Sequence, residues 1–512
     1  MSKLKQIVSI LSFPIVAYSG YQIWDAYSYS RSPSKIELAA EKLGFYSSPK
    51  LGEQTQQDAL LNIFYLSGYL KPASLWHDIN SIGNIKDPGK TFKSIYKELV
   101  RSGATQDDPA KFNPKSLRKN FLKSSDLDVQ DAEDLLLYIA QHAFNRKAGQ
   151  ERNELTAQSW MNKHKEAYWQ SAKELNLIDS IEPPQHEEYQ ARWIAGASRV
   201  GVLARLIYDD YISNLKEVNV TGNTSILAGN RELWANIDGI NPKTYKLLLN
   251  ARQNKINIDN LDISVPIGED LQRTEEGRQY MLQLAEKSKI RLDQNEPFVQ
   301  CTAGECPPGR FPGRDYANYF IKTGVKLTES LMAEDLLYSF FPSQKSIIVN
   351  TANINDQRPT TATTAKDAAK VLVEEIIAGK HGSKKEFKVL YQTNNPYIER
   401  QTLATQQEVD KVLLEYGLNQ QGYKIRVEGV GFGCKQDVAT VHSEFGALLA
   451  EKWKAAAQKD GQAGVMPKRD IKSLLFQTRD NSLIVPEEPD ISDIETSGGL
   501  KDILVSWFDD YM

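Results

Sequence analysis

Residues 386–401 read EFKVLYQTNNPYIERQ, an apolar-rich run that breaks into two asparagines and a proline and then returns to a tyrosine and an arginine. The first half, EFKVLYQT, has the length and the turn-bounded apolar character of a buried strand. In α/β proteins ligands bind beyond the carboxyl ends of the strands, where polar side chains and backbone N–H groups meet, and TNNPYIERQ can be such an end. It can equally be an ordinary strand-to-helix loop. On its own the stretch admits both.

On either side of it the pattern alternates. ARWIAGAS (191–198), SILAGNRELW (225–234), KSIIVNTA (345–352) and YKIRVEGVG (423–431) read as strands. Between and after them, RVGVLARLIYDDYI (199–212), TESLMAEDLLYSFF (328–341), TTATTAKDAAKVLVEEIIAG (360–379), EVDKVLLEYGL (408–418) and SEFGALLAEKWKAAA (443–457) carry helical spacing. Strands alternating with helices predict an α/β fold, a Rossmann-like parallel sheet with helices on both faces, over 187–456. An insertion at about 236–326 interrupts it and includes the turn-rich loop CTAGECPPGRFPGR. A loop that long is either a wall over a site or a decoration.

Ahead of this region, 28–180 reads as an all-helical domain. TQQDALLNIFYLSGYL, TFKSIYKELVRSG, DVQDAEDLLLYIAQHAF and TAQSWMNKHKEAYWQSAKELNLI repeat apolar residues every three or four positions. Thr55, and Asp126 or Asp128, are the expected caps. DSIEPPQHEEY (179–189), with adjacent prolines, reads as a linker. Residues 457–512 form an acidic tail. Such a tail is commonly a solvated terminus, and its composition also resembles the C-terminal signals of type IV secretion effectors.

The chain has 512 residues, 41% hydrophobic and 25% charged, enough for two to four globular domains. A net charge of -4 without any Lys/Arg block argues against nucleic-acid binding. The N-terminus, MSKLKQIVSILSFPIVAYSGYQIW, has the plan of a secretory signal with Ala17 and Ser19 before a cut at Gly20. Uncut, 1–27 is a candidate membrane anchor, and a buried amphipathic helix is the third reading. The expectation is export to the periplasm or inner membrane, with secretion as the alternative. Cys301 and Cys306 are either a small disulfide or two free thiols, since no second Cys or His pair completes a zinc site.

The polar residues at the expected strand ends fall in a recognisable order. The first strand delivers Gly196, Ala197, Ser198 and Arg199, with Arg205 further along the next helix, and the second delivers Gly229, Asn230 and Arg231. Thr328, Glu329 and Met332 follow, then RPTTATTAKDAA, then TNNPYIERQ. This series resembles the bacterial SanA/YdcF/ElyC family of domains of unknown function, over about 190–410. Thr361 and Thr364 fall on that family's Ser and Thr, and Lys366 and Asp367 stand where it has Glu-Asn. Thr393 and Asn394 fall on its Thr-Ser, Tyr397 on its histidine, and Arg400 on its arginine.

The resemblance implies a phosphorylated or nucleoside-containing ligand, with S-adenosylmethionine one candidate cofactor, and a role in envelope or lipid-carrier metabolism. The residues themselves point to a strand-end site. Small residues allow close approach, helix starts offer N–H groups, and Arg199, Arg231 and Arg400 can grip an anion or form surface ion pairs. Glu329 and Asp367 are the carboxylates placed to hold a ribose or act as a base, although Asp367 also suits the start of a helix. Tyr397 departs from the family. A phenol titrates near pH 10 and cannot replace a histidine as a neutral-pH base. Altered chemistry, or binding without turnover, follows. The competing reading is a secreted interaction protein, with the α/β domain as scaffold and the helical domain as the surface for a protein partner. GxxxxGK[ST] and GxSxG signatures are absent, and no GxGxG follows the first strand, where AGASRVG has the wrong spacing.

Overall fold

The computed structural model describes residues 32–144, 163–230, 242–260, 328–341 and 346–460, apart from short gaps within these ranges. The signal-like N-terminus, the cysteine loop, Arg231 and the acidic tail lie outside the described residues. The chain divides into two compact units, the division falling between Leu136 and Leu137.

In the first unit every named element is helical: α1 (Lys35–Lys42), α2 (Gln56–Leu66), α3 (Pro88–Arg101), α4 (Pro114–Asn120) and the start of α5 (Val129–Phe144), with a short 3-10 turn at Pro109–Lys111. Thr55 caps α2 in a capping box with Asp58, and Ser34 caps α1 in the same way with Glu37. Each hydroxyl accepts an otherwise orphaned N–H of the first turn while the acidic side chain reaches back to the cap. Asp128 Oδ1 accepts the Asp131 N–H at the start of α5. Arg118, on α4, reaches both capping carboxylates, Glu37 at 2.9 Å and Asp58 at 2.6 Å. All three side chains are buried, so one guanidinium ties two helix starts together.

The second unit runs α6 (Lys165–Glu174), β1 (Glu188–Tyr189), β2 (Ala191–Ala195), α7 (Arg199–Leu215), β3 (Asn219–Val220), β4 (Thr224–Gly229), α8 (Pro242–Asn254), a 3-10 turn (Ile258–Asn260), α9 (Glu329–Phe340), β5 (Ser346–Thr351), α10 (Thr361–Ile377), β6 (Glu386–Asn394), α11 (Ile398–Glu415), β7 (Lys424–Phe432) and α12 (Val438–Asp460). Five strands form one all-parallel sheet in the order β5-β4-β2-β6-β7, and β1 and β3 form a separate parallel pair. The α/β character expected from the sequence is present.

Alternation along the strands builds two cores. Ile194, Ile226, Leu390 and Val430 face α7, α8 and α9, while Trp193, Leu227, Val389 and Tyr391 face α10 and α11. Fully burying an aliphatic side chain of this size stabilises by about 1.5–3 kcal/mol, so both faces contribute to holding the sheet.

The stretch 179–189 is built into the sheet rather than left as a free linker. Ile181 exchanges backbone hydrogen bonds with Gly431 of β7, and residues 188–189 form β1. Lower on β7, where no further strand lies beside it among the described residues, Gln406 of α11 stands in for one. Its Nε2 donates to Ile425 O at 2.9 Å and its Oε1 accepts the Val427 N–H at 2.7 Å. Edge strands need such cover to resist pairing with other chains. Among the described residues no helix is long and apolar enough to cross a membrane.

Candidate functional site

The strand order places β2 and β6 side by side, and the chain leaves them in opposite directions. After β2 it enters α7 on one face; after β6 it enters α11 on the other. Such a reversal opens a crevice between the carboxyl ends of the two strands. Gly196 and Asn394 mark its two sides. A Cβ on Gly196 would lie 2.4 Å from Leu227 O, so only glycine fits between these backbones.

The residue that occupies the base of this crevice is Arg205. Its Nη1 donates to Ala195 O at 2.7 Å and to Gly196 O at 2.8 Å, while Nε and Nη2 donate to Asn394 Oδ1 at 3.1 and 2.8 Å. Asn394 Nδ2 donates to Asn395 O at 2.9 Å, which fixes the amide with its oxygen toward the guanidinium. Arg205 is 3% exposed. Four of the five N–H bonds a guanidinium carries are thus spent on neutral oxygens, leaving one on Nη2 unassigned among the described residues. No described carboxylate lies within the 4.0 Å of an ion pair. Burial pulls the Arg205 pKa below its ordinary value, and the nearby Tyr391, Tyr397, Glu329 and Cys434 oppose that pull. Burial likewise raises the Tyr391 phenol, against the field of Arg205.

On the other side of β2, at the end of β4, Gly229 donates its N–H to Glu329 Oε2 at 3.1 Å. Glu329 opens α9, and the next residue, Ser330, donates to Asn350 Oδ1 at 2.7 Å and to Gly229 O at 3.3 Å. The Pro359 ring closes over Gly229, where a Cβ would meet it at 2.8 Å. Asn230 donates its N–H to Thr351 O at 2.7 Å, and its side chain is exposed.

The other residues singled out in the sequence have internal work. Ser198 precedes α7 and its carbonyl accepts the Val202 N–H, and Arg199, the first residue of α7, is fully buried. Thr361 is the first residue of α10, but the cap is Thr360. Thr364 is buried with its hydroxyl on Thr360 O and Thr361 O. Thr393 donates to Gln401 at 2.7 Å, Tyr397 to Gln436 at 3.1 Å, and Arg400 pairs with Glu444 at 2.5 Å. Asn395, after which the peptide bond to Pro396 is cis, donates to Asn176 O and Asp179 O. The two asparagines therefore anchor two different neighbours: Asn394 holds α7 and Asn395 holds the segment that precedes the sheet. Asp367 stands apart, half-buried in the body of α10 with Lys370 at 4.0 Å.

The crevice thus gathers Gly196, Arg205 and Asn394, with the fields of Glu329 and Tyr397 acting on Arg205. Arg205 is its central charge, and the sequence carries one signal for it: an arginine inside the apolar run VLARLIY of a helix that must bury that face. Among the described residues no group of three His, Cys, Asp or Glu side chains is placed to hold a metal ion. The fold and crevice define an α/β protein with an all-parallel sheet, in which the chain leaves β2 and β6 toward opposite faces beside a buried arginine. Comparison with protein-family models, curated proteins and solved structures finds no match to the chain.

Proposed function

We propose that the chain is a ligand-binding protein built on a Rossmann-like sheet preceded by an all-helical domain, and that it takes an anionic small molecule at the β2–β6 crevice. The observation that carries this reading is Arg205, a buried cation whose hydrogen-bond partners are all neutral. A buried charge without a counter-charge is costly, and a bound anion would supply one. The starts of α7 and α11, which follow β2 and β6 within a few residues, add N–H groups of the same polarity.

The order of the five main-sheet strands, with the first in sequence at the centre, supports the Rossmann-like assignment. The resemblance to the SanA/YdcF/ElyC family supports a nucleotide, S-adenosylmethionine or a phosphorylated lipid carrier as the class of ligand, and an exported protein acting at the envelope.

The test is a thermal-shift screen of the full chain against S-adenosylmethionine, nucleotides and prenyl phosphates. A ligand at a hundred times its Kd stabilises by about 2.7 kcal/mol, enough to move the midpoint. The shift should vanish in Arg205→Met. A full panel without a shift on folded protein would remove the small-molecule reading.

A further inference from the structure

We infer that the anion is a phosphate monoester seated on the start of α7, with Ser198 its specificity residue; the inference rests on the anion reading of Arg205.

The turn from β2 into α7 holds polar groups without internal work. Ser198 stands directly before the helix, where a serine hydroxyl ordinarily accepts a first-turn N–H. Here the Ser198 carbonyl takes the Val202 N–H, but its hydroxyl has no hydrogen-bond partner among the described residues. The Val200 and Gly201 N–H groups have none among them either. All three residues are half-buried. The first turn of α7 carries no acidic side chain to offset its positive end. The turn is also close-packed. A Cβ on Gly201 would lie 2.8 Å from Ala197 Cβ and 3.7 Å from Ser198 Oγ, so glycine brings the hydroxyl up against the first-turn backbone.

Arg205 supplies the independent sign of a ligand at this turn. Side chains on a helix lean back toward its start. Arg205 does so, with Nη1 at 2.8 Å from the carbonyl of Gly196, two residues before Ser198. A guanidinium 3% exposed, with neutral partners only, therefore lies beside the positive end of its own helix. Both raise the local potential in the same sense, and an anion at the turn answers both.

The donors decide which anion. A carboxylate is gripped best by a guanidinium fork of two parallel N–H bonds. Arg205 has no fork to offer, because Nε and Nη1 are engaged and a single N–H remains on Nη2. The other donors are one hydroxyl and two backbone N–H groups around a helix start, a set that suits the three terminal oxygens of a phosphate. The phosphate is the shared chemistry, whether a nucleotide or a prenyl chain carries it.

The experiment is calorimetric titration of the full chain, Ser198→Ala, Ser198→Thr and Arg205→Met. The ligands are adenosine monophosphate, farnesyl monophosphate and S-adenosylmethionine, whose anion is a carboxylate. The wild type should prefer a phosphate, and Ser198→Ala should weaken that binding about tenfold or more, as expected for one hydrogen bond to a charged group. Ser198→Thr keeps the hydroxyl and should keep the affinity. The melting midpoint of unliganded Ser198→Ala should match wild type, because the hydroxyl caps nothing. A preference for adenosine monophosphate names a nucleotide, and one for farnesyl monophosphate names a lipid carrier. A lowered midpoint with unchanged affinity would make Ser198 a cap and overturn the inference, as would a preference for S-adenosylmethionine. If Arg205→Met abolishes binding and Ser198→Ala does not weaken it, the seat on α7 falls and the anion reading stands. If no ligand binds the wild type, both fall.

Discussion

Replacing Arg118 by methionine would remove the cation shared by two capping boxes. Glu37 and Asp58 are 8% and 4% exposed, and each already receives a cap N–H, from Ser34 at 2.7 Å and from Thr55 at 3.4 Å. These bonds persist in the variant, but two buried carboxylates lose their cation. Breaking a buried ion pair from one side costs about 3–5 kcal/mol. Methionine fills most of the volume, so the loss is electrostatic rather than a cavity. Because the chain has two units, a global melt would blur the effect. Hydrogen exchange of peptides from 35–66 reads it locally: a loss of about 3 kcal/mol speeds exchange through opening by roughly two orders of magnitude. Adding Glu37→Gln and Asp58→Asn should restore most of the protection, since the neutral amides keep an acceptor for each cap. Exchange within a factor of a few of wild type in Arg118→Met, or no recovery in the triple variant, would refute the clamp.

Two further outcomes follow from the second unit. Gln406→Leu should leave Ile425 O and Val427 N–H without their partner at the sheet edge, costing about 1–3 kcal/mol in urea unfolding and raising light scattering on warming. Asp259 has its pKa raised by burial, against hydrogen bonds from Ser180, Gly433 N–H and Asn257 and with Glu182 adding to the rise. The raised folded value means stability is fully present below the unfolded pKa of about 3.9 and declines as pH rises through the folded one; Asp259→Asn should flatten that part of the urea midpoint against pH, and an unchanged profile would refute it.

The sequence reading and the molecule agree where apolar periodicity dominates. Every strand read from the alternating region has a counterpart, because runs such as ARWIA and SILAG are buried from both faces. Helix starts were harder to read. α11 begins at Ile398, ten residues before the run EVDKVLLEYGL, because its first turns bury polar side chains: Gln401 against Thr393, and Thr405 fully enclosed. Hydrophobic spacing cannot report a buried hydrogen bond. Strand order was not legible either, since it depends on which face each crossover takes. That order is what gives TNNPYIERQ its place beside β2, and it explains the asparagines. Asn394 and Asn395 serve as anchors for Arg205 and for residues 176–179, partners 189 residues away and more than two hundred residues away in sequence. The candidate ligand residues Thr393, Tyr397 and Arg400 were legible as polar strand-end residues; their internal partners were not, because Gln401, Gln436 and Glu444 carry no local signature.

The central claim is that a buried arginine at the β2–β6 crevice receives an anion. The most direct measurement is a crystal structure of the full chain grown with saturating adenosine monophosphate or S-adenosylmethionine. The account predicts an anionic oxygen about 3 Å from Arg205 Nη2, between the ends of β2 and β6. A ligand bound elsewhere, with that guanidinium still facing only neutral oxygens, would contradict it.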